Sequence, residues 1–204
     1  MKALVRAVYC SGSIAKGTSD SKRICWTDVE RNLVQTGAGS ARIVFLNPDD
    51  PITDAANTLG QFGRDMYQVM IADAVIVDAR ERRGIGIGVE MAAAATLGTP
   101  IIVVAPRNSL YRQDQLNYRG VLVNDYVHPH VSSLASCVVN DFEEAGRAVE
   151  QLPETKDRSE PRSLWLRRAI DEYTEHVLPG DPPMVAAVEL LAQLGTDVGG
   201  RAAV

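Results

Sequence analysis

Cysteine is scarce. Cys10, Cys25 and Cys137 are three widely spaced residues in a chain of 204, and no Cys-x-x-Cys pair occurs, so neither a disulfide framework nor a thiolate zinc site is expected. Long hydrophobic runs are missing too. The longest uncharged stretch, Met91 to Pro106, is broken by Gly98-Thr99-Pro100 and falls short of the ~20 apolar residues a membrane helix needs. Arg6 interrupts the first apolar run before a signal-peptide core can form. No membrane association is therefore expected, and a reducing cytoplasm is the natural compartment. Positive charge is in deficit, with 21 Lys and Arg against 26 Asp and Glu for a net charge of -5, which argues against broad electrostatic capture of nucleic acid. What is present is a chain that is 46% hydrophobic. A domain of this length buries roughly 70% of its unfolded surface, so it needs no staples.

The apolar segments alternate with helical patterns. Ala3 to Tyr9 reads as a strand running into the small-residue turn Cys10-Ser11-Gly12-Ser13. A helix is expected from Asp20 to about Gly37, then a strand over Ala41 to Leu46, then a helix over Leu59 to Ala72. Ala74 to Val77 and Pro100 to Val104 are fully apolar strands, separated by an Ala-rich helix expected over Gly88 to Leu97. Val138-Val139 begins the last strand, with a capped helix running to Leu152. Strands apolar on both faces that alternate with helices give an α/β fold: a doubly wound, mainly parallel five-stranded sheet with helices on both faces. This domain is expected to occupy 1–152. A charged, apolar-poor linker, 153–161, leads to a C-terminal helical extension, 162–204. In such sheets ligands bind beyond the carboxyl ends of the strands, which points to 10–20, 79–88 and 106–120.

Three familiar motifs fail. Gly84, Gly86 and Gly88 stand as GIGIG after the third strand, not at the first strand-to-helix turn where a dinucleotide fingerprint belongs. Ala15-Lys16-Gly17-Thr18 has the residues of a phosphate loop in the wrong order. His128-Pro129-His130 lacks a third ligand at telling spacing, so it reads as a rigid loop and no metal is expected.

A more specific constellation remains: Tyr9 before Ser11-Gly12-Ser13-Ile14, Asp65 before Ala72-Asp73, and Gly86-Ile87-Gly88-Val89-Glu90. In order and spacing it resembles the nucleoside 2-deoxyribosyltransferase family, with its nucleoside 5'-monophosphate N-glycosidase branch, over residues 3 to 106. The resemblance implies cleavage of an N-glycosidic bond in a nucleoside or nucleoside 5'-monophosphate. It implies Glu90 as the nucleophile, Tyr9 as the residue that orients its carboxylate, and Asp65 as proton donor to the departing base. It also implies a sugar or phosphate site made by Ser11, Gly12, Ser13, Ile14, Lys16, Asp78, Gly84, Gly86 and Gly88. Asn117 would be contributed near a neighbour's site in a homodimer, and no cofactor is called for.

The chemistry suits those residue types. Such cleavage needs one group to attack the electron-poor anomeric carbon and another to protonate the leaving base, and two carboxylates can divide that work. If the helix begins near Gly88, Glu90 falls in its first turn, where the dipole favours an ionised carboxylate by about 0.3 to 1 kcal/mol. Transferases of the family commonly carry an acidic residue where this chain has Gly84, so hydrolysis is expected over base exchange. Two alternatives stay open: a 2-deoxyribosyltransferase proper, and a non-catalytic module that senses nucleotides. Taken alone, Glu90 would read as a solvated helix-start carboxylate and Asp78 as a loop cap.

Overall fold

The computed structural model describes residues 4–12, 26–48, 57–81 and 84–153, with scattered positions between 164 and 189. The chain divides into two units, Met1–Arg158 and Ser159–Val204. Every strand found among the described residues belongs to the first. In the second, a 3₁₀ turn spans Leu178–Gly180, and most of the expected C-terminal helices lie outside the described residues.

The apolar segments assemble as their composition demands. β1 (Val5–Ser11), β2 (Arg42–Leu46), β3 (Ala74–Asp78), β4 (Ile101–Val104) and β7 (Cys137–Val139) form one parallel sheet in the order β2-β1-β3-β4-β7. The expected α/β architecture is what the chain adopts. β3 and β4 are buried at every residue, as a strand covered on both faces must be. Alternation along the strands sorts the core into two layers. Val8, Cys10, Ile76 and Val104 pack with α1 (Asp28–Gly37) and α5 (Phe142–Glu150) through Val34, Phe142 and Val149. Tyr9, Val75, Val77 and Val103 pack on the other face with α2 (Thr58–Ile71) and α3 (Ile85–Leu97) through Val69, Ile87 and Met91. Because β2 and β3 flank β1 on opposite sides, the strand order reverses at β1, and the crevice at the carboxyl ends of β1 and β3 is where this architecture places ligands. Ser11 and Val77 face each other across that point.

Several boundaries differ from the sequence reading. α1 starts at Asp28, not near Asp20: Thr27 is its N-cap, and Thr27 and Glu30 form a reciprocal capping box. The residues around Asp20 lie outside the described ones. α3 starts at Ile85, three residues earlier than expected, with Gly84 as N-cap. Glu90 is therefore in the second turn, and the dipole argument for its ionisation does not apply, since that effect fades within the first turn. The segment expected to be a loop over 106–120 contains β5 (Arg112–Tyr118), which pairs with β6 (Val121–Val127) in an antiparallel hairpin. Its two turn residues, Arg119 and Gly120, have φ of 52° and 88°, the mirror-image turn that matches strand twist. A short α4 (Pro129–Leu134) follows, with His128 as N-cap and proline in the first turn.

Candidate active site

Three of the singled-out residues meet at the carboxyl end of β1. Tyr9 and Ser11 alternate onto the same face of the strand, and both are fully buried. The Tyr9 hydroxyl donates to Glu90 Oε1 at 3.0 Å, and the Ser11 hydroxyl donates to Glu90 Oε2 at 2.5 Å. Each carboxylate oxygen thus has its own donor. The backbone beneath is pinned from the other layer: Trp26 Nε1 donates to the Ser11 carbonyl at 3.1 Å, while its ring packs edge-on against Phe142 with centroids 5.1 Å apart.

The electrostatics are those of a carboxylate held out of water. Burial pushes the Glu90 carboxyl from its usual 4.5 up to about 7; the Ser11 and Tyr9 hydrogen bonds pull it down, and the negative charge of Asp65 pushes it further up. Burial also raises the Tyr9 phenol well above its ordinary value, as do the charges of Glu90 and Asp65, so it remains a donor at any physiological pH. Asp65, half-buried on α2, is raised by burial and pulled back by Arg64, whose guanidinium lies 3.9 Å away. Arg64 is itself held by the carbonyls of Asn47 and Pro48. Two acidic groups with elevated proton affinity thus act on one another across the space between α2 and α3. This is a pattern that enzymes use to set an acid against a base.

The remaining sequence candidates distribute differently. Ser11, expected on substrate, has its hydroxyl on Glu90. Asp78 alternates onto the opposite face of β3 and is bound through both oxygens by Arg80, with Nε and Nη2 each 2.9 Å away. Arg80 Nη2 also reaches Glu30 Oε1 at 3.0 Å. Although burial pushes Glu30 up, hydrogen bonds from Thr27 and Arg80 hold it below the usual carboxylate range. Asp78 thus anchors the loop after β3 and does not join the Glu90 cluster. Asn117 accepts a hydrogen bond from the Gly120 amide at 2.9 Å and so closes the hairpin turn. Gly84 and Gly88 line a cleft on the α4 side of α3, and Glu90 is not among its lining residues. Gly86, exposed in the first turn of α3, is open to a ligand: a Cβ added there would meet nothing within 4 Å. Gly12 directly follows β1, and Ser13, Ile14 and Lys16 lie outside the described residues.

Sequence reasoning did not find two neighbours of the site. Trp26 carried no motif signal. Gln68, one helical turn beyond Asp65, is buried with neither carboxamide atom hydrogen-bonded among the described residues. A polar residue inside the otherwise apolar face of α2 is the signal that would have found it. Among the described residues no group of three or more His, Cys, Asp or Glu is placed to hold a metal ion, and no helix is long and apolar enough to cross a membrane.

No protein-family model matches the chain, and no curated protein matches its sequence. Among solved structures, it is similar to a 2-deoxyribosyltransferase from the psychrotolerant bacterium Bacillus psychrosaccharolyticus. That match has 14% identity and a TM-score of 0.47, over 72% of this chain and 93% of that one. It is similar also to a 2-desoxiribosyltransferase from Leishmania mexicana, at 20% identity and the same TM-score of 0.47, over 72% of this chain and 98% of that one.

Proposed function

We propose that this chain is a cytoplasmic enzyme that cleaves the N-glycosidic bond of a nucleoside or nucleoside 5'-monophosphate, with Glu90 as nucleophile and water as the favoured acceptor. The observation that carries the reading is the Glu90 carboxylate held, partly buried, by the Tyr9 and Ser11 hydroxyls at the carboxyl end of β1. A carboxylate fixed through both oxygens keeps one orientation while a sugar approaches, and its elevated proton affinity marks a stronger base and nucleophile once ionised. The match of Tyr9, Asp65 and Glu90 to the family pattern supports the same assignment.

In this mechanism Glu90 attacks C1' as the C1'–N bond breaks. Asp65 gives its proton to the departing base nitrogen, so the base leaves neutral. Water then attacks C1' of the glycosyl ester, its proton passes to the Asp65 carboxylate, and Glu90 is released ionised. Tyr9 and Ser11 donate throughout and never transfer their protons. The absence of an acidic residue at Gly84 favours hydrolysis over exchange. We propose a homodimer as the working form, on the exposed apolar residues Leu59 and Phe62 of α2 and Ile85 and Val89 of α3.

The test is a panel of ribo- and deoxyribonucleosides and their 5'-monophosphates, incubated with and without a second free base, with released bases followed by chromatography. The expected result is base release without a second base, lost in Glu90→Ala. Undiminished turnover in Glu90→Ala overturns the nucleophile assignment. Exchange only in the presence of a second base overturns hydrolysis. Binding without turnover overturns the enzyme reading.

A further inference from the structure

On the flank of α3 away from Glu90 lies a cleft of about 610 Å³. Its floor is Val77 and Ala79 at the end of β3, and α4 forms its far wall. The volume falls within the range of about 300 to 1,000 Å³ typical of small-molecule sites. We propose that this cleft is a second ligand site, separate from the Tyr9–Glu90 crevice, and that it takes an uncharged aromatic heterocycle.

The lining selects that chemistry. Among the described residues that line it, none is Asp, Glu, Lys or Arg. Among these residues an ionic ligand would meet no opposite charge to offset the hydration it gives up. Its polar residues are Tyr111, His128 and His130, and their rings form a chain. Tyr111 and His128 meet edge to face at 5.8 Å and 79°, and His128 meets His130 at 5.2 Å and 74°. Such a chain offers ring faces and edges on which another planar ring stacks favourably. Opposite it, Gly84 and Gly88 present bare backbone, with nothing within 4 Å of where a Cβ would stand, so a flat molecule can lie close to α3.

The hydrogen-bonding capacity is directional. His128 Nδ1 accepts the His130 amide at 3.3 Å, which places the His128 proton on Nε2. That N–H has no partner among the described residues and is the donor a ring nitrogen or carbonyl of the ligand would use. Glu90 points to the opposite flank of the helix, toward β1, so ligand in this cleft leaves the Tyr9 and Ser11 contacts in place. The two sites share α3, and the proposal stands on the cleft alone, independent of the reaction assigned to Glu90.

The chain has three histidines, His128, His130 and His176, which makes imidazole proton NMR a direct readout. The full chain is titrated with adenine, hypoxanthine, uracil and nicotinamide, with cyclohexanecarboxamide as a saturated control and benzoate as a charged one. The His128 and His130 signals are assigned with His128→Asn and His130→Asn. The expected result is a saturable shift of those two signals but not of His176 with at least one heterocycle, and at least tenfold weaker binding of both controls. Leu134→Trp, which fills the cleft, and Leu110→Trp, at its exposed rim, should each weaken binding at least tenfold, and Glu90→Ala should leave it unchanged. No saturable shift with any heterocycle overturns the proposal. So does equal binding of the saturated or charged control, binding unaffected by both tryptophans, or binding lost in Glu90→Ala.

Discussion

Tyr9 and Glu90 stand 81 positions apart in the chain, and their side chains are joined by a hydrogen bond of 3.0 Å. The bond crosses from β1 to the helix that follows β3, so it holds only while both elements are in register. A phenol this deeply buried keeps its proton. Its partner is therefore stabilised in the charged form, against a burial that favours the neutral one.

Removing that donor should act on rate and pH dependence together. A hydrogen bond to a charged group contributes about 1.5 to 3 kcal/mol, so Tyr9→Phe should lower kcat/KM on a cleaved nucleoside by roughly 10- to 100-fold. Without the phenol the Glu90 carboxyl moves up from about 7, and the acid limb of the kcat/KM profile should move to higher pH. A purely structural role for Tyr9 would lower activity with the limb in place. Steady-state rates from pH 5 to 9 separate the two.

The same carboxyl should leave a mark on folding stability. Its folded-state value of about 7 lies above its ordinary 4.5, so between those limits the folded chain keeps a proton that the unfolded chain has released. Stability falls as pH rises through that window and levels off above it, by on the order of 3 kcal/mol. Glu90→Gln cannot ionise. Denaturant unfolding at pH 4 and pH 8 should show the variant gaining on the wild type at the higher pH, and equal differences at both would refute the burial of a titrating Glu90.

Much of this arrangement is legible from residue pattern, and the failures have physical causes. Ala74 to Val77 and Ile101 to Val104 announce buried parallel strands because no polar side chain interrupts them. The hairpin is nearly silent: RQDQLNY over Arg112–Tyr118 has only Leu116 and Tyr118 on one face and polar residues elsewhere, too little for the period-two signal of a half-buried strand. The start of α3 is hidden by Gly84, Gly86 and Gly88, since glycine disfavours helix by about 1 kcal/mol per residue. Burial of Ile87 and Met91 outweighs that preference. Thr27 and Glu30 do carry a capping-box signature, as His128 and Pro129 carry a helix-start signature. The pairing of Asp78 with Arg80 depends on which face of β3 the carboxylate takes, and that is fixed only once the sheet forms.

Arg80 should be a strong determinant of stability. It holds the fully buried Asp78 through two bonds of 2.9 Å, reaches Glu30, and lies 4.7 Å from the centre of the Phe142 ring. Arg80→Met takes the guanidinium away from the buried Asp78 carboxylate, and the expected loss is about 3 to 5 kcal/mol in urea unfolding. Adding Asp78→Asn removes the buried negative charge and should recover part of the loss. A cost below about 1 kcal/mol for the single variant, or no recovery in the double, would show that the pair contributes little.

At Gly37 of α1 and Gly146 of α5 the main chains of the two helices come into direct contact, and that contact should tolerate no added atom. A Cβ at Gly146 of α5 would stand 2.1 Å from the Val34 carbonyl oxygen of α1, and one at Gly37 would stand 1.9 Å from the Glu143 carbonyl oxygen. Both obstacles are main chain, so relief requires the helices to separate. On propensity alone Gly146→Ala in a helix would stabilise by about 1 kcal/mol. The clash has the opposite sign and should exceed it: overpacking costs of roughly 1 to 3 kcal/mol are ordinary where side chains can shift, and here none can. Separation of α1 from α5 would also loosen Phe142 and Trp26, and with them the bond from the indole to the Ser11 carbonyl. Gly146→Ala should therefore lower the thermal midpoint and, at temperatures where the chain is still folded, reduce whatever turnover the wild type shows on the nucleoside panel. A midpoint unchanged or raised would mean that α1 and α5 pack less closely than 2.1 Å from Cβ to oxygen implies.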